Sequence, residues 1–242
     1  MRRAALATLL SATLAASGVR AECTADAMIV LDASASMTSP GAPGSTVQRI
    51  HEARRAVAEV MPRVEHVRRI GLVTYGPGGA GACDGVTLHL PPRAGAAEAV
   101  IAAVDATAPG GLTPLTAAVR AAAASLGADG VPGIVVLVTD GNESCGGAPC
   151  RLAQRLAADP TGPIVHVIGF KAAWDTFARG GEDQRAGGFA GEIVADCLSE
   201  ATGGLFVSTQ ALDELIAALM RTLGCQAVAG LRPGAGGRIP MP

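Results

Sequence analysis

Short apolar runs alternate along the chain with longer amphipathic ones. Met28–Asp32 (MIVLD) is a continuous apolar run of strand length, the pattern of a strand covered on both faces. Ile70–Tyr75, Ile134–Thr139 (IVVLVT), Ile164–Phe170 and the short Leu205–Ser208 follow the same pattern. Val86–Leu90 instead alternates, as an edge strand does. Thr46–Val64 places Val47, Ile50, Ala53, Val57, Val60 and Val64 on one helical face. Ala96–Thr107 and Pro114–Leu126 are Ala-rich helical segments, the second with Thr113 expected as N-cap and Pro114 as its first residue. Pro149–Ala158, Ile193–Ala201 and Ala211–Leu223 complete the helices. Strands alternating with helices predict an α/β fold, a doubly wound and mostly parallel sheet with helices on both faces.

The ends of the chain depart from this pattern. Arg2 and Arg3 precede the apolar stretch Ala4–Ala16, too short to cross a bilayer, and Val19 and Ala21 stand at the −3 and −1 positions of a cleavage site. Residues 1–21 are therefore expected to be a signal peptide, 22–225 a single domain and 226–242 a disordered Pro/Gly-rich tail. That places the domain in a secreted or periplasmic setting, with no membrane span after the leader is cleaved. Six cysteines without a CxxC pair fit a disulfide framework better than a zinc or redox site. Of the fifteen possible pairings, Cys23–Cys225 would tie the ends of the domain. Position in the chain favours Cys83–Cys145 and Cys150–Cys197, with a local Cys145–Cys150 loop as the rival.

Composition narrows the function. Hydrophobic residues are 49% of the chain, enough for a substantial core. With 19 Lys+Arg against 21 Asp+Glu, the chain lacks the basic footprint of a nucleic-acid binder. Aromatics are only 2%, which excludes stacking platforms for bases. Lys171 is the sole lysine, so no mechanism with two lysines is available. It opens a polar, Gly-rich stretch, 171–191, expected to be a surface loop in which Trp174 and Phe177 are either a partner anchor or locally packed. His51, His66, His89 and His166 are scattered, and no nucleophile–His–acid set is present.

The chemistry gathers at strand ends. The first strand runs into Asp32-Ala33-Ser34-Ala35-Ser36, and the most apolar later strand runs into Thr139-Asp140-Gly141. Between them, Gly110-Gly111-Leu112-Thr113-Pro114-Leu115 is a Gly-rich loop offering a threonine at a helix start. Doubly wound sheets bind ligands beyond the carboxyl ends of their strands, where strand order reverses. Asp32, Ser34, Ser36, Thr113 and Asp140 are hard oxygen donors that suit Mg²⁺, Mn²⁺ or Ca²⁺ and not zinc or copper. Two carboxylates roughly 5 Å apart repel by about 3 kcal/mol at an effective dielectric near 20. A divalent ion between them removes that conflict. Taken singly, each of these residues has a plainer use in turns and caps, and Asn142-Glu143-Ser144 also fits a glycosylation acceptor.

DASAS at 32–36, GGLTPL at 110–115 and VTDGNES at 138–144 make the chain similar to the von Willebrand factor A domain family over about residues 26–224. That family's metal-ion-dependent adhesion site corresponds to Asp32, Ser34, Ser36, Thr113 and Asp140, all of the family's residue type. The resemblance implies a six-stranded sheet in order 3-2-1-4-5-6 with Val86–Leu90 as antiparallel edge. It also resembles a secreted bacterial branch in which Ser144–Cys150 follows the last aspartate. The implied activity is binding, not catalysis. Ser34 and Ser36 would contact Mg²⁺ directly, with Thr113, Asp32 and Asp140 direct or through water. A partner protein's Asp or Glu would fill the open position. Met37–Thr46, Asp84, Asn142, Glu143 and 171–191 would then select the partner. The alternative is a metal-dependent hydrolase with Glu143 as base.

Overall fold

The computed structural model describes residues 25–41, 45–127, 130–171 and 196–224. The leader, the tail, Cys23, Cys225, Trp174 and Phe177 lie outside the described residues. Six strands form one sheet: β1 (Ala27–Asp32), β2 (Ile70–Tyr75), β3 (Thr87–Arg93), β4 (Ile134–Thr139), β5 (Ile164–Phe170) and β6 (Phe206–Thr209). Their order is β3-β2-β1-β4-β5-β6, the expected 3-2-1-4-5-6. Only the β2–β3 pair is antiparallel. Pro91 and Pro92 lie in β3, which an edge strand tolerates because only one side of it needs N–H donors.

The helices are α1 (Arg49–Val64), α2 (Ala97–Ala106), α3 (Leu115–Ala124), α4 (Pro149–Ala158), α5 (Asp196–Thr202) and α6 (Leu212–Leu223). A two-residue period divides each central strand between two cores. Ile29, Leu31, Leu72 and Val136 pack with α1, α2 and α6 on one face. Met28, Val30, Val73 and Leu137 pack with α3, α4 and α5 on the other. Cover on both sides leaves every residue of β1, β2 and β4 buried, which is why these strands read as unbroken apolar runs. Among the described residues no helix is long and apolar enough to cross a membrane.

Four local expectations are corrected. The first helix begins at Arg49, and Val47, 44% exposed, belongs to the preceding loop and not to the buried face. Residues Ala35–Thr38 form a 3-10 turn that carries Met37 into the core, so Met37 cannot select a partner. Helix α3 starts at Leu115 with Pro114 as its cap position, and Thr113 stays in the loop before it. Lys171, expected in a surface loop, is buried and ion-paired with Glu52 of α1. A lone ammonium at that depth requires such a partner.

The disulfides Cys83–Cys145 and Cys150–Cys197 both form, against the local Cys145–Cys150 alternative. The first joins the loop after β2 to the loop after β4. The second joins the start of α4 to α5.

Candidate metal centre

Strand parity sets the first carboxylate. Leu31 points into the α1 side of the sheet, so Asp32 points to the opposite face, where it lies in register with Tyr75 of β2. Asp32 is fully buried, yet all of its lone-pair positions are used. Oδ1 accepts the Ser34 backbone N–H at 2.8 Å and the Ser34 hydroxyl at 2.6 Å. Oδ2 accepts the Tyr75 hydroxyl and the Thr139 hydroxyl, each at 2.8 Å. Burial, then the charge of Asp32, pushes the Tyr75 hydroxyl well above its ordinary range, so it remains a donor. Tyr75 and Thr139 were not singled out by the sequence. The available signal is their position as final residues of the two strands flanking β1.

Asp140 lies just past β4 and is also buried. Its Oδ1 accepts the Ser36 hydroxyl at 2.6 Å, and its Oδ2 accepts Nη1 of Arg49 at 2.7 Å. Ser36 and Ser34 place their hydroxyl oxygens 2.9 Å apart. A continuous chain of oxygens therefore runs from Asp32 through Ser34 and Ser36 to Asp140. Burial, with the charge of Asp32 second, raises the Asp140 carboxyl to about 6, against the opposing pull of Ser36 and Arg49. Arg49 is a third residue the sequence did not flag: it reads there as a polar position at a helix start.

The Gly-rich loop is seated by backbone contacts. Gly110 N–H donates to Ala33 C=O at 2.9 Å, and Ala35 N–H donates to Gly111 C=O at 3.2 Å. Gly76 and Gly111 both adopt positive φ. A Cβ on Gly111 would come within 2.6 Å of the Gly76 carbonyl, so glycine allows the loops after β2 and before α3 to touch. Thr113 is held through its main chain: its N–H donates to Ser144 Oγ at 2.8 Å and its C=O accepts from Ser144 N–H at 3.1 Å. The structure thus links Asp32, Ser34, Ser36 and Asp140 by direct side-chain hydrogen bonds. It brings in Thr113 through the backbone of its loop.

Glu143 serves this loop too. Its Oε2 accepts Thr116 N–H at 2.7 Å, closing the N-terminus of α3, and its Oε1 accepts Cys145 N–H at 2.8 Å. Each oxygen is already engaged by a backbone N–H, which gives Glu143 a structural use and does not favour it as the base of the hydrolase alternative. The negative end of this side chain also complements the α3 dipole.

The donor set suits a hard cation. Among the described residues there is no group of three or more His, Cys, Asp and Glu that could hold a metal, and the cluster at Asp32 and Asp140 instead combines two carboxylates with hydroxyls. The oxygen chain supplies that reason physically. Its three contacts, 2.6, 2.9 and 2.6 Å long, share only two hydroxyl hydrogens when both aspartates are ionised. One contact then lacks a proton and two negative charges face each other across the serines. A proton on Asp140 relieves this, and so does a cation that accepts lone pairs from the hydroxyls.

Residues 27–143, from β1 to just past Asp140, match the model of the von Willebrand factor type A domain. The uncharacterized protein YwmD of Bacillus subtilis (strain 168) is 33% identical over 109 residues, which is 44% of this chain and 42% of that one. The match therefore spans about two fifths of this curated relative. An aerotolerance-related membrane protein from Bacteroides fragilis NCTC 9343, solved with multiple mutations to serine, aligns over 84% of this chain and all of its own (TM-score 0.60, 20% identity). The SpRpn10 VWA domain aligns over 85% of this chain and all of its own (TM-score 0.57, 14% identity). Proximal thread matrix protein 1 of the mussel byssus, solved with a zinc-occupied MIDAS motif, aligns over 85% of this chain and 47% of its own (TM-score 0.55, 16% identity). At these identities the likeness to the solved structures is one of fold. The family match covers just under half of the chain and spans all five candidate oxygen donors, and the sheet order is that of the fold these solved structures share.

Proposed function

We propose that this chain is a cation-dependent protein-binding module, with Asp32, Ser34, Ser36, Thr113 and Asp140 as the ligands of one divalent ion, Mg²⁺ before Mn²⁺ or Ca²⁺. VWA domains are mostly non-enzymatic binding modules, and they commonly hold a divalent metal. The observation that carries the proposal is the oxygen chain from Asp32 to Asp140, two buried carboxylates joined through two hydroxyls. When bound, the ion would supply a Lewis-acidic position able to accept an Asp or Glu carboxylate from a partner.

The chain's own residues do the rest. Tyr75 and Thr139 fix Asp32 from below, so its remaining oxygen keeps one orientation. Ser36 is part-exposed, whereas Ser34 and Asp32 are buried, so the cluster opens toward solvent on the Ser36 side. The two disulfides favour an oxidising compartment, in keeping with a secreted or periplasmic protein whose leader is residues 1–21.

Isothermal titration of the EDTA-stripped protein with Mg²⁺, Mn²⁺ and Zn²⁺ tests the ligand set. We expect saturable one-site binding that Asp140→Ala and Ser34→Ala abolish while far-ultraviolet circular dichroism is unchanged. Equal binding by parent and variants overturns the assignment. An EDTA-sensitive pull-down from envelope extract then tests the partner.

A further inference from the structure

We propose that Arg49 is a built-in counter-charge of this site: it holds the oxygen cluster together and, in doing so, lowers the affinity for the divalent ion. The inference rests on the metal-binding function proposed above. Arg49 is the first residue of α1, and its backbone N–H is anchored on Ser39 C=O at 3.0 Å. From there its side chain reaches Asp140 Oδ2 at 2.7 Å, with one fifth of the side chain exposed. Arg49 Nε is buried with no hydrogen-bond partner. Leaving a guanidinium N–H unpaired is unfavourable, so the side chain is held there by Asp140 and not by a network of its own. The other side-chain hydrogen bond of Asp140 among the described residues is with Ser36, a neutral group.

The consequence is a charge count. Asp32 and Asp140 together carry −2, which matches a divalent ion. The guanidinium of Arg49 reduces the formal charge of the cluster to −1. The positive charge lies one carboxylate away from the ion's place, in a buried setting where screening by salt is weak. It stabilises the two carboxylates in the absence of an ion and opposes the arrival of one. Such a residue makes occupancy responsive to ion concentration, where an unopposed pair of carboxylates would hold the ion throughout.

The test compares Arg49→Gln and Arg49→Lys with the parent. Arg49→Gln keeps a donor near Asp140 without the charge, and Arg49→Lys restores the charge. Titration of EDTA-stripped protein with Mg²⁺ and with Mn²⁺ gives the dissociation constants, and melting in EDTA and in saturating Mg²⁺ gives a readout independent of partner binding. We expect Arg49→Gln to bind Mg²⁺ at least about tenfold more tightly, as removal of a nearby unit charge requires. Arg49→Lys should remain within about threefold of the parent, a spread well below a single full charge interaction. In EDTA, Arg49→Gln should melt below the parent, and saturating Mg²⁺ should close that gap. If the parent binds and Arg49→Gln binds equally or more weakly, the counter-charge role fails while the metal site stands. If Arg49→Gln alone binds, Arg49 blocks the ion and the role is upheld in its strongest form. If neither binds, both proposals fall. A variant that does not fold in EDTA but recovers with Mg²⁺ supports the role, and the Arg49→Lys protein then gives the comparison of affinities.

Discussion

Asp140 should make the ion-free protein less stable as pH rises from 4 to 6. Its carboxyl is raised from 3.8 to about 6, chiefly by burial and then by the charge of Asp32. The sign follows from proton linkage. Between those two values the folded chain holds a proton that the unfolded chain has released, so stability falls with increasing pH. Below 3.8 both states are protonated and the penalty is absent. Above about 6 it is complete. A difference of about 2 units at 1.36 kcal/mol each corresponds to about 3 kcal/mol, an order-of-magnitude figure. The oxygen chain gives the same sign independently, since a proton on Asp140 supplies the hydrogen its three contacts lack.

Urea unfolding in EDTA at constant ionic strength, from pH 3.5 to 7.5, measures the effect against Asp140→Asn. The variant cannot titrate at this position and leaves Arg49 unpaired, but that loss is independent of pH and cancels from the slope. The difference between the two curves should change by about 3 kcal/mol across the window, falling for the parent. Parallel curves, or a parent that gains stability relative to the variant, would refute the argument. Saturating Mg²⁺ should flatten the parent's slope, because the ion binds the ionised carboxylate and expels the proton.

The Cys83–Cys145 disulfide should matter to the ion more than Cys150–Cys197 does. Ala82 and Ser144, each next to a half-cystine, hydrogen-bond Leu112 and Thr113 respectively. Replacing each bridge by two serines should cost about 2–4 kcal/mol in denaturant unfolding. Only loss of Cys83–Cys145 should also weaken Mg²⁺ binding in titration, and equal affinities in both variants would argue against this. Glu143→Gln should lower stability by about 1–3 kcal/mol, because one backbone N–H at the start of α3 or at Cys145 loses its acceptor. Ion binding should persist in that variant, and thermal melting alongside titration separates the two effects.

Much of the fold is legible in the sequence because burial on both faces leaves a strong trace. Runs such as MIVLD and IVVLVT have no polar position before their last residue, as central parallel strands covered on both faces require. Strand boundaries held to a few residues for the same reason. Less was visible where a residue's environment comes from distant chain. Lys171 reads as part of a polar loop, and its ion pair is with Glu52, a residue of α1 far from it in the sequence. Val47 fits a helical face by spacing, yet the helix begins after it.

What the sequence determined by itself is the inventory: alternating elements, and three separated motifs whose oxygens suit one hard cation. What the tertiary structure decided is their electrostatic setting. Register across β1, β2 and β4 places Tyr75 and Thr139 on Asp32, and the path from the 3-10 turn into α1 delivers Arg49 to Asp140. A motif lists donors along a line, but charge acts through space. The groups that orient and neutralise those donors come from strands and a helix that no local spacing connects to them.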